Sequence, residues 1–174
     1  MKVNFENNIL NIDNIPDYEK STQIKLDNNY LKVIILNSLF SFILLTCGLM
    51  ICYYFFEVLK SSNNMFVICI IYIFFWITYG IYAWLSFGKK SYSFRDHDVI
   101  YKFGLFNETS VLIPFNRIQH IALHQGFFSR KFGLASLQFY TAGGSTTDIS
   151  IPGMKVEVAK SFKEIISDKI EKIN

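Results

Sequence analysis

From Val33 to Phe56 the chain reads "VIILNSLFSFILLTCGLMICYYFF", 24 mostly apolar residues without a charge. From Met65 to Phe87 it reads "MFVICIIYIFFWITYGIYAWLSF", 23 more inside an uncharged run that extends from Ser61 to Gly88. A hydrocarbon core about 30 Å thick is crossed by about 20 helical residues, so this pattern predicts two transmembrane helices. Only "EVLKSSNN", Glu57 to Asn64, separates them. That segment closes a tight helical hairpin and holds no domain, so the two helices are predicted to be antiparallel neighbours.

After Lys89 and Lys90 the period shortens to that of strands. "SYSF", the polar cluster "RDHD" and "VIYKFG" predict a hairpin with strands at Ser91 to Phe94 and Val99 to Phe103. "ETSVLIPF" and "RIQHIALHQ" follow, with Pro114 ending or interrupting the first. "LASLQFYTA" and "TTDISI" predict a second hairpin, turned by Gly143 and Gly144, which can take positive φ. Six short strands over about 60 residues make a small, strongly bent antiparallel sheet or partly open barrel. Beyond Pro152 and Gly153, residues Val158, Phe162, Ile165, Ile166, Ile170 and Ile173 recur at helical spacing, predicting one amphipathic helix that closes the barrel. The expected fold is therefore a two-helix transmembrane hairpin (residues 30–88) followed by an α+β domain (89–174). Residues 1–29 form a polar, Asn-rich and acidic lead-in containing Pro16.

Composition adds orientation. Lys20, Lys25 and Lys32 precede the first span and Lys89, Lys90, Arg95 and Lys102 follow the second, while the intervening loop carries Lys60 alone. Cationic flanks stay on the cytoplasmic side, so both termini are predicted to be cytoplasmic. The first apolar run starts after 32 residues and lacks a small-residue cleavage site, which argues against a signal peptide. From Gly88 onward there are 12 Lys or Arg against 8 Asp or Glu. That excess favours an anionic inner leaflet but is too small to argue for nucleic acid.

Candidate chemistry is sparse. Cys47, Cys52 and Cys69 all fall inside the apolar runs, leaving no aqueous thiolate for zinc, a disulfide or nucleophilic attack. His120 and His124 would share a metal on a helix, but the flanking Ile118, Ile121 and Leu123 predict a strand. There they lie about 13 Å apart, too far for one ion, and surface or hydrogen-bonded histidines are expected. "TAGGST" lacks the Gly-Lys-Ser/Thr and following helix of a phosphate loop, so it reads as a hairpin turn. No Gly-x-Ser-x-Gly elbow and no paired carboxylates flanked by glycines occur, so neither a catalytic residue nor a cofactor is expected. The polar residues of the first span, Asn37, Ser38, Ser41 and Thr46, suit bonding between helices; neither span holds an ionisable transport group.

"GFFSRKFG", Gly126 to Gly133, is the strongest contact candidate. As a helical turn it places Phe128 and Phe132 on one face and projects Arg130 and Lys131 elsewhere. Either the phenylalanines plug the barrel and the cations are solvated, or the loop is interfacial, with aromatics among headgroups and cations on anionic phosphate.

The run from Tyr92 to Met154 resembles the bacterial membrane-flanked pleckstrin-homology-like domains of the YdbS and YdbT type. The likeness lies in Arg117-Ile118-Gln119-His120 after Pro114, Gln125-Gly126, Arg130 to Ala135, Thr141 to Gly144 and Ile151-Pro152-Gly153. With the two preceding spans it covers roughly residues 30 to 174 and leaves out the acidic start. The resemblance implies a pleckstrin-homology-like (PH-like) barrel with a C-terminal helix and no established reaction. Eukaryotic relatives of the fold bind phosphoinositides through basic loops between early strands, but the corresponding "RDHD" is mixed in charge and does not carry that specificity over.

The combined expectation is a non-enzymatic, membrane-anchored module at the cytoplasmic face that recruits protein partners, related copies of the domain included. Arg117, Phe127, Phe128, Arg130 and Lys131 are its candidate contacts with partners or membrane lipids. A sensor of anionic headgroups and a small accessory subunit of a transporter or envelope enzyme are the alternatives.

Overall fold

The computed structural model describes residues 22–57, 62–141 and 149–173. The Asn-rich start, most of the loop between the spans and the Gly143-Gly144 turn lie outside them. Two long helices, α1 (Asn29–Phe55) and α2 (Ser62–Lys89), are apolar enough to cross a membrane, and their apolar stretches stand exposed. Helix α1 begins four residues before its uncharged run and α2 begins just inside its own. The Asn29 N–H donates to Asp27 Oδ1 at 2.8 Å, satisfying one of the free amides of the first turn of α1.

Among the described residues the aqueous domain contains seven strands, one more than the pattern predicted, in two antiparallel sheets. The first sheet orders β1 (Ile24–Lys25), β2 (Ser91–Phe94), β3 (Asp98–Phe103) and β4 (Thr109–Pro114). The second orders β5 (Ile118–His124), β6 (Leu134–Thr141) and β7 (Ile149–Lys155). Strand β1 is the addition. It comes from before the membrane hairpin and pairs with β2 after it, Ile24 opposite Tyr92 and Lys25 opposite Ser91. The membrane hairpin is therefore an insertion between the first two strands of the sheet, and the domain grips it from both ends.

No closed barrel forms among the described residues. On one side Pro114 ends β4, and a 3-10 turn (Phe115–Arg117) carries the chain to β5 without pairing the two strands. On the other, the Asp27 N–H donates to the Gly153 carbonyl at 3.0 Å and Lys155 Nζ lies 3.9 Å from Asp27 Oδ2, joining the ends of the two sheets without a ladder. Strand β7 runs past Pro152 and Gly153, where the sequence pattern placed its end. Ile151 faces Leu137 while Met154 faces Ala135, so one extra residue bulges out beside Ser136. The bulge accommodates the missing proline N–H, and Gly153 supplies its positive φ of 68°.

Val99, Ile113, Phe115, Leu137, Phe139 and Ile151 form the centre of the core. Helix α4 (Val156–Ile173) covers it with Ala159 and Ile166 fully buried and Phe162 stacked 4.0 Å from Phe94. Val158 and Ile165, expected on that face, are exposed. The buried stripe is Ala159, Phe162, Ile166 and Ile170, rotated from the reading that followed only the larger apolar residues.

A candidate membrane and partner interface

The short helix α3 (Phe127–Lys131) forms where the sequence predicted a helical turn. Gln125 Nε2 donates to the Leu134 carbonyl at 3.0 Å and the Arg130 N–H to the Gly126 carbonyl at 2.9 Å, closing the excursion between β5 and β6 into a compact unit. It packs against α1 and leaves a cleft of about 460 Å³, lined by Val33, Asn37 and Phe40 on one side and Gly126 to Ser129 on the other. Phe40 lies eight residues beyond Lys32, about 12 Å along the helix axis and well inside the apolar run. The helical turn therefore sits beside the first turns of α1, where the apolar run begins.

The phenylalanines of α3 do not plug a barrel. Phe127 is 85% exposed, Phe128 is half-buried, and their rings meet edge to face at 5.2 Å. Phe115 and Phe139 fill the core instead. Arg130 and Lys131 are exposed on the same turn, and Lys32 Nζ lies 6.0 Å from the Phe132 ring centre. Four candidate contacts, Phe127, Phe128, Arg130 and Lys131, thus come together beside α1. Arg117 does not join them. It follows β4 at the opposite end of β5, roughly 20 Å of strand from His124.

The strand directions explain that separation. Chain leaving α2 enters β2 almost at once, so Ser91 marks the end of the domain nearest the membrane, and Lys102 on β3 is level with it. Burial lowers the pKa of Lys90, the one residue between α2 and β2. The "RDHD" turn lies at the far end. Arg95 Nε donates to Asp98 Oδ1 at 2.6 Å, and this bond raises the guanidinium pKa further, while Lys169 from α4 donates to the Asp96 carbonyl at 2.8 Å. A turn pointing away from the membrane, with Arg95 already paired, is not placed to meet headgroups.

His120 and His124 both project from the outer face of β5 and are exposed, as the strand reading required. The His120 ring stacks on Tyr140 at 4.1 Å. Among the described residues no three His, Cys, Asp or Glu side chains gather as a metal site. Within the hairpin, Thr46 is tied across the helices to Tyr72, hydroxyl to hydroxyl at 2.6 Å, while the Tyr72 hydroxyl also lies 3.0 Å from the Phe42 carbonyl.

The sequence reading missed a residue at the membrane-proximal end. Phe106, in the loop between β3 and β4, is 88% exposed. Its signal was present as an aromatic residue inside the turn "GLFNE", but exposure cannot be read from a turn pattern.

Two sheets of four and three strands, covered by one C-terminal helix and joined to two apolar helices, define a membrane-anchored PH-like module. The Bacterial PH domain family model matches residues 33–170, and this chain belongs to that family. It is similar to the UPF0699 transmembrane protein YdbS of Bacillus subtilis (strain 168), 33% identical over 76 residues, which cover 44% of this chain and 46% of the relative. The match thus spans about half the length of that curated relative. No solved structure matches the chain significantly.

Proposed function

We propose that this protein is a non-enzymatic binding module, held at the cytoplasmic face of the membrane, that recruits protein partners into a membrane assembly, other PH-like membrane proteins or a second copy among them. The observation that carries this reading is that the sheet edges at β4 and β5 are unpaired among the described residues. Strands β4 and β5 each pair on one side only among the described residues, while the inserted hairpin holds the domain against the membrane. An open edge takes an added strand from a partner through backbone hydrogen bonds. Cytoplasmic placement is supported by the lysines flanking the two spans. Crosslinking in cells followed by purification in mild detergent tests the proposal: a discrete co-purifying protein or a defined oligomer is expected, and a strictly monomeric, partnerless product would refute it.

A second reading, contact with anionic lipid headgroups, is supported by Arg130 and Lys131 standing exposed on α3 beside the membrane-spanning α1. Cations near such a surface contribute about 1 kcal/mol each.

A further inference from the structure

Among the described residues the two most exposed large hydrophobic side chains are Phe106 at 88% and Phe127 at 85%, ahead of every residue of the membrane-spanning helices, where Tyr54 reaches 76%. Neither belongs to a span. Both lie in excursions from the aqueous domain, and strand direction places both at the same end of it. Strand β3 packs against α2 and passes the level of Ser91 at Lys102, so the loop Gly104 to Glu108 continues toward the membrane on the α2 side. Helix α3 packs against α1 close to Lys32, at the start of the apolar run. One phenylalanine thus follows the strand that packs on α2, and the other stands on the helix that packs on α1.

We propose that Phe106 and Phe127 insert into the interfacial layer of the membrane that α1 and α2 cross, fixing the tilt of the domain at two points. A phenylalanine this exposed gains nothing in water, and the nearest apolar phase is the bilayer already entered by the adjoining helices. The β3–β4 loop is built to project it. Gly104 holds φ at +108°, and a side chain there would overlap the Asn107 carbonyl oxygen, so the turn stays tight and Phe106 stands at its tip. Lys102 precedes the loop on β3, and Arg130 and Lys131 follow Phe127 on the same turn, so each ring has a cation near it in the chain to meet lipid phosphate. Fixing the tilt also fixes how the open edges of β4 and β5 face the cytoplasm or a neighbouring membrane protein.

The inference rests on the membrane anchoring alone, not on partner recruitment, so either can fail while the other stands. Nitroxide labels attached through Phe106→Cys, Phe127→Cys and the distal control Asn116→Cys, with Cys47, Cys52 and Cys69 replaced by Ala, report depth in the full chain reconstituted in phosphatidylcholine–phosphatidylglycerol vesicles. Labels at 106 and 127 should collide more with oxygen than with a water-soluble nickel chelate, and the label at 116 should show the reverse. Either phenylalanine site matching 116 overturns the proposal. Because a label replaces the ring it reports on, Phe106→Ser and Phe127→Ser are measured alongside. They should leave domain melting in detergent unchanged and speed amide exchange of residues 104–108 and 127–131 in vesicles; unchanged exchange counts against insertion. Protection that disappears on dilution with excess lipid would make the occupant a second copy of the chain, which also overturns it.

Discussion

The backbone N–H of Asp27 donates to the carbonyl of Gly153 at 3.0 Å, tying the chain just before α1 to the bulge of β7. Around that bond the membrane hairpin and the domain become one unit. Tyr30, in the first turn of α1, lies over Gly153 so closely that a Cβ there would fall 2.6 Å from its Cγ. Gly153→Ala meets both this overlap and a φ of +68°, and the left-handed conformation alone costs about 1–2 kcal/mol. The expected result is a melting temperature lowered by several degrees in detergent, with faster amide exchange confined first to residues 24–33 and 149–155.

Leu26, 5% exposed between β1 and α1, joins the pre-hairpin segment to the domain. Leu26→Ala should destabilise the domain by about 2–5 kcal/mol, the cost of truncating a buried leucine. A fragment beginning at Lys89 lacks β1 and Leu26 altogether and should be digested by protease far faster than the full chain. Equal protease resistance would show that the strand before the hairpin does not belong to the folded unit.

Little in the sequence marks Ile24–Lys25 as a strand. Two residues carry no period, and their partner lies beyond an entire membrane hairpin, with Gln23 reaching Ser91 at 3.2 Å. The spans, by contrast, were legible because two uncharged runs of that length are each long and apolar enough to cross a membrane, and β2 and β3 because local alternation and a polar turn suffice. The reading of α3 shows the limit of periodicity. Spacing put Phe128 and Phe132 on one face but could not say whether that face met a core or α1. In α4 the small Ala159, invisible to a reading by large apolar residues, is the one wholly buried against the sheets beside Ile166.

In the membrane hairpin, Tyr72→Phe removes the hydroxyl that meets Thr46 and the Phe42 carbonyl. Hydrogen bonds between helices in bilayers contribute about 0.6 kcal/mol on average. A loss of that size in hairpin stability, read from unfolding in mixed detergent, is expected, with the aqueous domain unaffected.

If Arg130 and Lys131 meet anionic phosphate, amide exchange of α3 in full-length protein should slow when nanodiscs of neutral lipid are replaced by anionic ones. Arg130→Glu with Lys131→Glu should abolish that dependence, in keeping with about 1 kcal/mol per cation. Exchange indifferent to lipid charge in the unmodified chain would remove the headgroup reading and leave the protein-partner reading intact.

Recruitment through the open sheet edges is tested most directly by photo-crosslinking in cells. A photoreactive side chain is placed at Leu112 on β4, at His120 on β5, and at Lys163 on the exposed side of α4 as a control. One discrete protein adduct is expected from an edge position and none from Lys163. No adduct from either edge, or the same adducts from all three positions, would contradict a module that binds its partners by strand addition.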